Sequence, residues 1–353
     1  MAADRTRLRL GVVGCGRVFE LYHRQALDHS DRWELVAACD VSAQRREWVR
    51  RALPEVRVFD SPTGLLAGHD LDAVLVATPP DLHAEVALQA MESGLNVLVE
   101  KPMATRLTDA RRMLDAAEAA GTALCVGFNR RFRSSYRKVR DELAAEPRTI
   151  REIRYSFAAD VRWRGESRSP VPIDLLLHDV ACHQIDLVAW MTGLAIRETR
   201  ARPLAEADGP GGAVQVDLGL GPDRDFVARC TAAYAPRYVE RLEVDLGDRT
   251  LVVRPGGLSR SGRTPDRLSE AWDRIRHLAH LSVRRAIGRP SRTHESFERQ
   301  LASFADAIRD APSGCADAGD GYRAVAVVEA CRESLADGGA WKAVHPHRAL
   351  AGA

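Results

Sequence analysis

The chain has 353 residues, of which 45% are hydrophobic, and a formal net charge of +2. This length allows two globular domains with cores of their own, and the near-neutral charge gives no indication of a nucleic-acid partner. The apolar runs are strand-sized, far below the roughly 20 residues that span a bilayer, and residues 1–9 are charged without an apolar export segment. We therefore predict a cytoplasmic protein that does not enter membranes.

The seven cysteines are scattered along the chain, and no two stand in Cys-x-x-Cys spacing. An odd and unclustered set argues against both a disulfide framework and a thiolate zinc site. We expect free thiols in a reducing compartment and no bound metal.

Short apolar runs alternate with longer amphipathic stretches from Leu8 to Val126, a pattern typical of a parallel sheet with crossover helices. The predicted strands are Leu8–Val13, Trp33–Cys39, Val56–Phe59, Ala73–Ala77, Val97–Val99 and Ala123–Val126. Helices are predicted over Asp81–Ser93 and Thr108–Ala120. Residues 1–127 should therefore form an α/β domain with a doubly wound parallel sheet.

The alternation of predicted strands and helices changes after about Phe128. A helix is predicted over Ser134–Ala145, a strand near Ile150–Ala159 and a long helix over Leu175–Met191. Four β-rich segments follow, joined by turns without helices: Ile196–Arg202, Ala213–Leu220, Phe226–Tyr234 and Tyr238–Val253. Such connections imply antiparallel pairing. Further helices are predicted over Pro265–Ile287, Phe297–Arg309 and Tyr322–Ala336. Residues 128–353 should thus form an α+β domain with an open, mainly antiparallel sheet.

A glycine turn and a carboxylate predict a dinucleotide site. Gly14 and Gly16 end the first strand, where a tight turn lets a pyrophosphate approach the backbone and the next helix. Asp40 ends the second strand, where a carboxylate accepts hydrogen bonds from ribose hydroxyls and repels a 2′-phosphate. NAD is therefore favoured over NADP, although Arg45 lies near enough to reach a 2′-phosphate. Phe19 occupies the third position of the dinucleotide-binding fingerprint, which is normally Gly or Ala. The alternative to a dinucleotide site is a glycine turn that binds no ligand.

Lys101 lies directly after a predicted strand and before Pro102. Proline has no N–H donor and favours extended conformations in the residue before it, so the strand does not run on into a helix. The lysine ammonium is therefore predicted at the carboxyl edge of the sheet, where it can meet a ligand.

Several motifs follow one another in a fixed order. They are Gly14-x-Gly16, Asp40, Thr78-Pro79-Pro80-x-x-His83, Glu100-Lys101-Pro102 and Gly127-Phe128-Asn129-x-Arg131-Phe132. With them the chain resembles the glucose-fructose oxidoreductase, inositol dehydrogenase and MocA (Gfo/Idh/MocA) family. The resemblance implies an NAD(P)-binding Rossmann domain over 1–127, a substrate-binding and oligomerisation domain over 128–353, and hydride transfer on sugars or cyclitols. The cofactor-binding residues it implies are Gly14, Gly16, Arg17, Val18, Asp40, Arg45, Thr78, Pro79, His83, Glu100, Lys101 and Asn129.

The family's active-site helix typically carries Asp-x-x-x-His, and Asp179 and His183 have this spacing. Residues four apart share a helix face, so both side chains can point into one cleft. The resemblance implies that His183 is the general base or acid, that Asp179 supports it, and that Lys101 stabilises charge on the reacting oxygen. The implied substrate-binding residues are Lys101, Arg131, His178, Asp179 and His183.

Alternatives to these roles remain open. His183 is otherwise a half-buried structural histidine, and His178, Asp179 and His183 as zinc ligands are disfavoured because adjacent residues diverge on a helix. The segment 174–178 is bulkier than the glycine loop that often precedes the active-site aspartate, which puts the substrate in doubt.

A basic stretch runs from Leu258 to Arg292, with nine arginines against three acidic residues and apolar residues at helical spacing. It is interpreted as a solvated helix face over a packed apolar stripe, or as arginines that grip a phosphorylated or nucleotide-linked sugar.

The leading prediction is an oxidoreductase that transfers a hydride between a nicotinamide cofactor and a secondary alcohol or ketone of a sugar, cyclitol or nucleotide-linked sugar. One alternative is a redox-neutral lyase or glycosidase that uses NAD transiently. Another is a sugar-sensing binding protein, against which Lys101, Asp179 and His183 argue. An open sheet needs covering, so a homodimer or homotetramer is expected.

Overall fold

The computed structural model describes residues 6–67, 70–145, 150–160, 172–204, 212–222, 225–235, 238–255, 257–261 and 292–345. The chain divides into two compact units, residues 1–132 with 292–325 and residues 133–291 with 326–353. The predicted helix Pro265–Ile287, and with it most of the basic stretch, lies outside the described residues.

The strands are β1 Leu8–Val13, β2 Trp33–Cys39, β3 Arg57–Phe59, β4 Ala73–Val76, β5 Asn96–Val99, β6 Leu124–Val126, β7 Glu152–Asp160, β8 Ile196–Pro203, β9 Ala213–Leu220, β10 Phe226–Ala235, β11 Val239–Asp245, β12 Thr250–Arg254, β13 Gly257–Ser261, β14 Ala316–Asp317 and β15 Lys342–Ala343. The helices are α1 Arg24–Asp28, α2 Ala43–Ala52, α3 Pro62–Leu66, α4 His83–Glu92, α5 Leu107–Ala120, α6 Ser134–Ala145, α7 Ile173–Leu176, α8 Cys182–Thr192, α9 Arg292–Ile308 and α10 Ala318–Ala336. Among the described helices, none is both long enough and apolar enough to cross a bilayer.

The sheet of the first unit has the strand order β14-β6-β5-β4-β1-β2-β3. All neighbours are parallel except β14, which is antiparallel to β6. The order reverses between β1 and β4, as in doubly wound nucleotide-binding folds. Strand β4 is buried along its whole length, as expected for a parallel strand covered on both faces. The predicted Rossmann architecture is confirmed.

Helix α9 packs against the sheet of the first unit. The indole N–H of Trp33 donates to the carbonyl of Leu301 over 2.8 Å, and its ring stacks on Phe304 at 5.3 Å. Leu301 and Phe304 are buried in the same apolar cluster as β1 residues. The sequence predicted that all of residues 128–353 belong to the second domain. Residues 292–325 instead belong to the first compact unit, because the apolar face of α9 is buried on the first sheet.

The sheet of the second unit has the order β13-β12-β11-β7-β10-β9-β8-β15. Strands β7 and β10 pair in parallel and the other neighbours are antiparallel, so the mainly antiparallel prediction is confirmed. The predicted β segment Tyr238–Val253 is two strands, β11 and β12. They are separated at Gly247, whose φ of +87° is readily adopted only by glycine.

The predicted long helix Leu175–Met191 is interrupted. Between α7 and α8, residues Leu177–Ala181 form a π turn, closed by a hydrogen bond from the Cys182 N–H to the Leu177 carbonyl. The segment then runs on as α8 and ends at Gly193, which has a left-handed φ of +68°. The prediction of one regular helix was wrong here, because side-chain periodicity does not register a single extra residue in a turn.

Candidate active site

The turn after β1 needs glycine at its first position. Gly14 has a φ of +96°, and a Cβ there would lie 2.5 Å from the carbonyl carbon and oxygen of Ala77. The end of β1 thus packs directly against the backbone that follows β4. At Gly16, by contrast, no described atom lies within 4 Å of an added Cβ. The backbone at Gly16 therefore faces open space, where a phosphate group fits.

Phe19 takes the place of the small residue of the fingerprint. It is fully buried and meets Trp48 edge-on with ring centroids 6.3 Å apart. Phe19 also begins a π turn that ends at His23 and is closed by the Arg24 N–H donating to the Phe19 carbonyl. A π turn holds one residue more than an α turn, so the bulky ring is accommodated within a widened helix start. Arg17 and Val18 form the helical residues before it.

Asp40 is fixed beside the glycine turn. One carboxylate oxygen accepts from the Cys15 N–H and the other from the Ser42 N–H, each over 2.8 Å. Arg45 donates to the Cys15 carbonyl over 2.6 Å and to Glu20 over 2.9 Å. The guanidinium of Arg45 is therefore engaged in bracing the turn. Burial, followed by the charge of Asp40, raises the pKa of Cys15 to about 12, so this thiol is unreactive at neutral pH.

His83 joins two loops at the carboxyl ends of β4 and β5. Its Nε2 lies 2.9 Å from the carbonyl oxygen of Thr78 and its Nδ1 2.8 Å from that of Pro102. Burial lowers the pKa of His83, although both hydrogen bonds act in the opposite direction. Thr78 and Pro79, predicted as cofactor contacts, thus lie in a loop that is tied by His83 to the loop that carries Lys101.

Glu100 is buried next to Lys101. It accepts a hydrogen bond from the His23 Nε2 over 2.7 Å and one from the Lys101 N–H over 3.2 Å. Burial by itself raises the pKa of Glu100, but the hydrogen bond and charge of His23 outweigh it, and the pKa lies below its usual value. A Cβ at Gly127 would lie 2.9 Å from the Glu100 carboxylate, so glycine there leaves room for it. His23 was not predicted as a site residue, because its partner is distant in the sequence.

Asn129 and Arg131 lie in a short 3-10 turn after β6. Asn129 donates to the Ser296 hydroxyl over 3.2 Å. Arg131 is 5% exposed and pairs with Asp320 over 2.8 Å. Burial opposes ionisation of Asp320, but the charge of Arg131 outweighs it and holds the pKa of that carboxyl below its usual value. The contacts of Arg131 are those of a buried structural ion pair, and its role in substrate binding stays a prediction.

In the second unit, the π turn carries Asp179, and His183 follows in α8. The regular α-helical spacing, from which we predicted that Asp179 and His183 share one helix face, is therefore interrupted between these two residues. Asp179 accepts a short hydrogen bond from the hydroxyl of Tyr234, which is fully buried on β10. His183 is 8% exposed. Tyr234 was missed in the sequence, since a tyrosine in a strand carries no signal that it faces a given helix.

His178 directly precedes Asp179, and Asp174 lies about one turn earlier in the chain. The His178 Nδ1 is 2.9 Å from the Asp174 carbonyl oxygen, and the Cys182 thiol donates to the His178 carbonyl over 2.8 Å. The Asp174 carboxylate accepts from Arg332 of α10 over 3.0 Å, and this hydrogen bond holds the pKa of Asp174 below its usual value. In the part of the chain that the structure describes, no three His, Cys, Asp or Glu side chains form a metal-ligand group.

Tyr234→Phe should lower kcat about tenfold with little change in the substrate KM, because the Asp179 carboxylate loses a charge-assisted hydrogen bond but the ring stays packed. Steady-state kinetics of NADH formation measure this. Tyr155→Phe is the matched control, because Tyr155 is a buried tyrosine of β7, the strand next to β10, and hydrogen-bonds to Tyr136 of α6. Equal kinetics of Tyr234→Phe and wild type would contradict a role for this hydroxyl.

Known proteins share this sequence and architecture. A model described as an oxidoreductase family with an NAD-binding Rossmann fold matches residues 8–128. Inositol 2-dehydrogenase 3 of Saccharopolyspora erythraea is 26% identical over 347 residues, which cover 94% of each chain. Inositol 2-dehydrogenase of Paracoccus denitrificans is 27% identical over 345 residues, covering 94% of this chain and 95% of that protein.

The WlbA dehydrogenase from Bordetella pertussis, solved in complex with NADH and UDP-GlcNAcA, has the same fold. Its TM-score is 0.75 at 22% identity, with 98% of this chain and 100% of that chain covered. The ordered motifs, the doubly wound sheet with its glycine turn and these similarities agree, and the chain belongs to the Gfo/Idh/MocA family of oxidoreductases.

Proposed function

We propose that this protein is an NAD-dependent dehydrogenase or ketoreductase acting on a secondary alcohol or ketone of a sugar, cyclitol or nucleotide-linked sugar. One observation carries the proposal. The Gly14–Gly16 turn, Asp40 and Lys101 follow β1, β2 and β5, whose carboxyl ends meet at one edge of a parallel sheet. In doubly wound folds this is the edge where dinucleotides bind. The inositol 2-dehydrogenases and the WlbA dehydrogenase support the substrate class.

The residues around the turn fit a dinucleotide. The open backbone at Gly16 leaves space for a pyrophosphate, and Asp40 is held as a carboxylate acceptor for ribose hydroxyls. When bound, NAD supplies the hydride acceptor. The chain's own residues would hold it and manage charge and protons at the substrate oxygen.

Three side chains are proposed to act on the substrate. The Lys101 ammonium stabilises negative charge on the reacting oxygen. His183 accepts the hydroxyl proton in oxidation and returns it in reduction. Asp179, whose carboxylate accepts a hydrogen bond from the Tyr234 hydroxyl, supports His183.

We propose NAD as the cofactor in preference to NADP. Both Asp40 oxygens are anchored by backbone N–H groups, so the carboxylate cannot turn away from a 2′-phosphate. Arg45, the nearby cation predicted from the sequence, is engaged with Cys15 and Glu20. Asp40→Ser should weaken NAD binding about tenfold and raise the NADP-to-NAD ratio of kcat/KM, because the serine keeps a hydrogen-bonding group but not the charge.

Steady-state kinetics with both cofactors measure the Asp40 prediction. Asp60→Ser, an acidic residue close after β3 with no contact to the glycine turn in the hydrogen bonds described, serves as control. An unchanged cofactor ratio in Asp40→Ser would contradict the role of the carboxylate.

The activity itself is tested by a panel of cyclitols, free sugars and UDP-sugars with NAD, followed at 340 nm and by mass spectrometry of the products. NADH formed in proportion to an oxidised product supports the dehydrogenase. Product formed without NADH indicates the redox-neutral lyase or glycosidase, and ligand binding without product indicates the sugar-sensing protein. We further propose a cytoplasmic homodimer or homotetramer, for which native mass spectrometry gives the subunit number.

A further inference from the structure

His23 lies in the helical segment that follows the cofactor's glycine turn. It is the last residue of the π turn and has no exposed surface. Its ring packs edge-on against Phe297 of α9, with ring centroids 4.8 Å apart. The imidazole therefore has a fixed position inside the first unit, and it points its Nε2 at the carboxylate of Glu100, 2.7 Å away.

The carboxylate of Glu100 has a second donor and a close backbone neighbour. Its other oxygen accepts from the Lys101 N–H over 3.2 Å, and the carboxylate lies so close to Gly127 that a Cβ added there would be 2.9 Å from it. Since the carboxylate accepts, the His23 Nε2 must be the donor. A buried carboxylate is costly unless such donors and nearby cations compensate it. Lys101 is one of the cations whose charge acts on Glu100.

The far side of the same loop is held by a second buried imidazole. His83 contacts the carbonyl oxygens of Pro102 and Thr78. Residues 100–102 are thus fixed by His23, which comes from the glycine-turn segment, and by His83, which comes from the start of α4. Lys101 stands in the middle of this three-residue loop.

We propose that His23 is a positioning residue for Lys101: by its hydrogen bond it keeps Glu100 anionic and in place, and Glu100 in turn orients the Lys101 backbone and favours its ammonium form. The link runs within the first unit, from the glycine-turn segment to the loop of Lys101. The effect on turnover rests on the proposed function of Lys101, whereas the effect on the lysine itself does not.

Two substitutions separate the hydrogen bond from the ring. His23→Leu removes the donor, and the expected result is a fall in kcat of about 10- to 100-fold with the NAD dissociation constant within about twofold of wild type. His23→Gln places an amide N–H near the position of Nε2 and should restore most of kcat. Tyr22→Leu is the matched control, because Tyr22 stacks on the same Phe297 at 5.0 Å; it should lower the Tm and leave kcat unchanged.

A measurement without substrate tests the link directly. Lys101, Lys138 and Lys342 are the three lysines of the chain, so acetylation by acetic anhydride can be followed for each by peptide mass spectrometry. When His23→Leu leaves Glu100 without its donor, the carboxyl is expected to take up a proton. The Lys101 ammonium then loses an anionic neighbour, and its acetylation should be about threefold or more faster relative to exposed Lys138. Glu100→Gln, which removes the charge at constant shape, should give the same increase.

Outcomes of the two assays are distinguishable. If wild-type protein oxidises no sugar or cyclitol but Lys101 acetylation rises in both His23→Leu and Glu100→Gln, the proposed function fails and the positioning role stands. If Lys101 acetylation in both variants equals that of wild type, or His23→Gln is as impaired as His23→Leu, the positioning role is overturned. Should His23→Leu fail to fold, Glu100→Gln and His23→Gln decide between these results.

Discussion

Lys101→Met is expected to lower kcat by about 10³-fold while NAD still binds. A donor aimed at developing negative charge contributes about 10²- to 10³-fold to kcat, and a full charge contributes more than a neutral donor. Methionine keeps the length and apolar stem of lysine but loses the ammonium. His183→Ala should lower kcat by about 10²- to 10⁴-fold, because a general acid or base accounts for that range. Single-turnover hydride transfer at 340 nm measures both.

Cofactor binding separates the chemical role from a structural one. NAD titration followed by protein fluorescence should give dissociation constants within a few-fold of wild type for Lys101→Met and His183→Ala. Lys138→Met, which removes an exposed lysine of α6, is the control for loss of positive charge. Turnover retained by Lys101→Met or His183→Ala would refute the assigned role of that residue.

Gly14→Ala is expected to destabilise the protein by about 3 kcal/mol or more and to abolish NAD binding. A left-handed φ costs a residue with a Cβ of order 1–3 kcal/mol. The new Cβ would also lie 2.5 Å from the backbone of Ala77 and 2.7 Å from the Thr78 nitrogen. Backbone atoms cannot rotate away as a flexible side chain can, so the ends of β1 and β4 must separate. Thermal and urea unfolding measure the loss.

Gly16→Ala is the matched control for that substitution. No described atom lies within 4 Å of its added Cβ, and its φ is not in the left-handed region. Its Tm should stay within about 2 °C of wild type, as for surface substitutions. If a pyrophosphate lies against this backbone, NAD binding is still weakened, about tenfold or more. Equal Tm values for the two variants would contradict the close packing at Gly14, and unchanged NAD affinity of Gly16→Ala would contradict the phosphate position.

Local patterns in the sequence were enough for the first sheet. Apolar runs bounded by glycine and charged residues predicted β1 and β2 with the observed bounds, because buried parallel strands typically have short, mostly apolar sequences. The antiparallel character of the second sheet followed from turns without helices. The pairing of β7 with β10 in parallel did not, because pairing partners far apart in the sequence leave no local trace.

The sequence showed the motifs of the candidate site, but not the contacts that hold these motifs in place. Asp40 could be placed beside the glycine turn from strand order alone. That Arg45 braces this turn through the Cys15 carbonyl and Glu20 depends on the helix geometry of α2. The two π turns, which begin at Phe19 and at Leu177, likewise could not be predicted from the hydrophobic pattern, because each adds only a single residue to a helix that continues.

The sequence by itself indicated the family and the doubly wound first half, and it supplied the lysine, aspartate and histidine whose catalytic roles are proposed. These follow from residue types at short spacings and from the order of motifs along the chain, which can be recognised without knowing which elements pack together. Only the tertiary structure decided that α9 belongs with the first sheet, that Tyr234 meets Asp179, and that His23 stands behind Glu100. Each of these contacts joins residues at least 55 positions apart, or a helix to a distant sheet. Burial and packing select them only once the chain has folded.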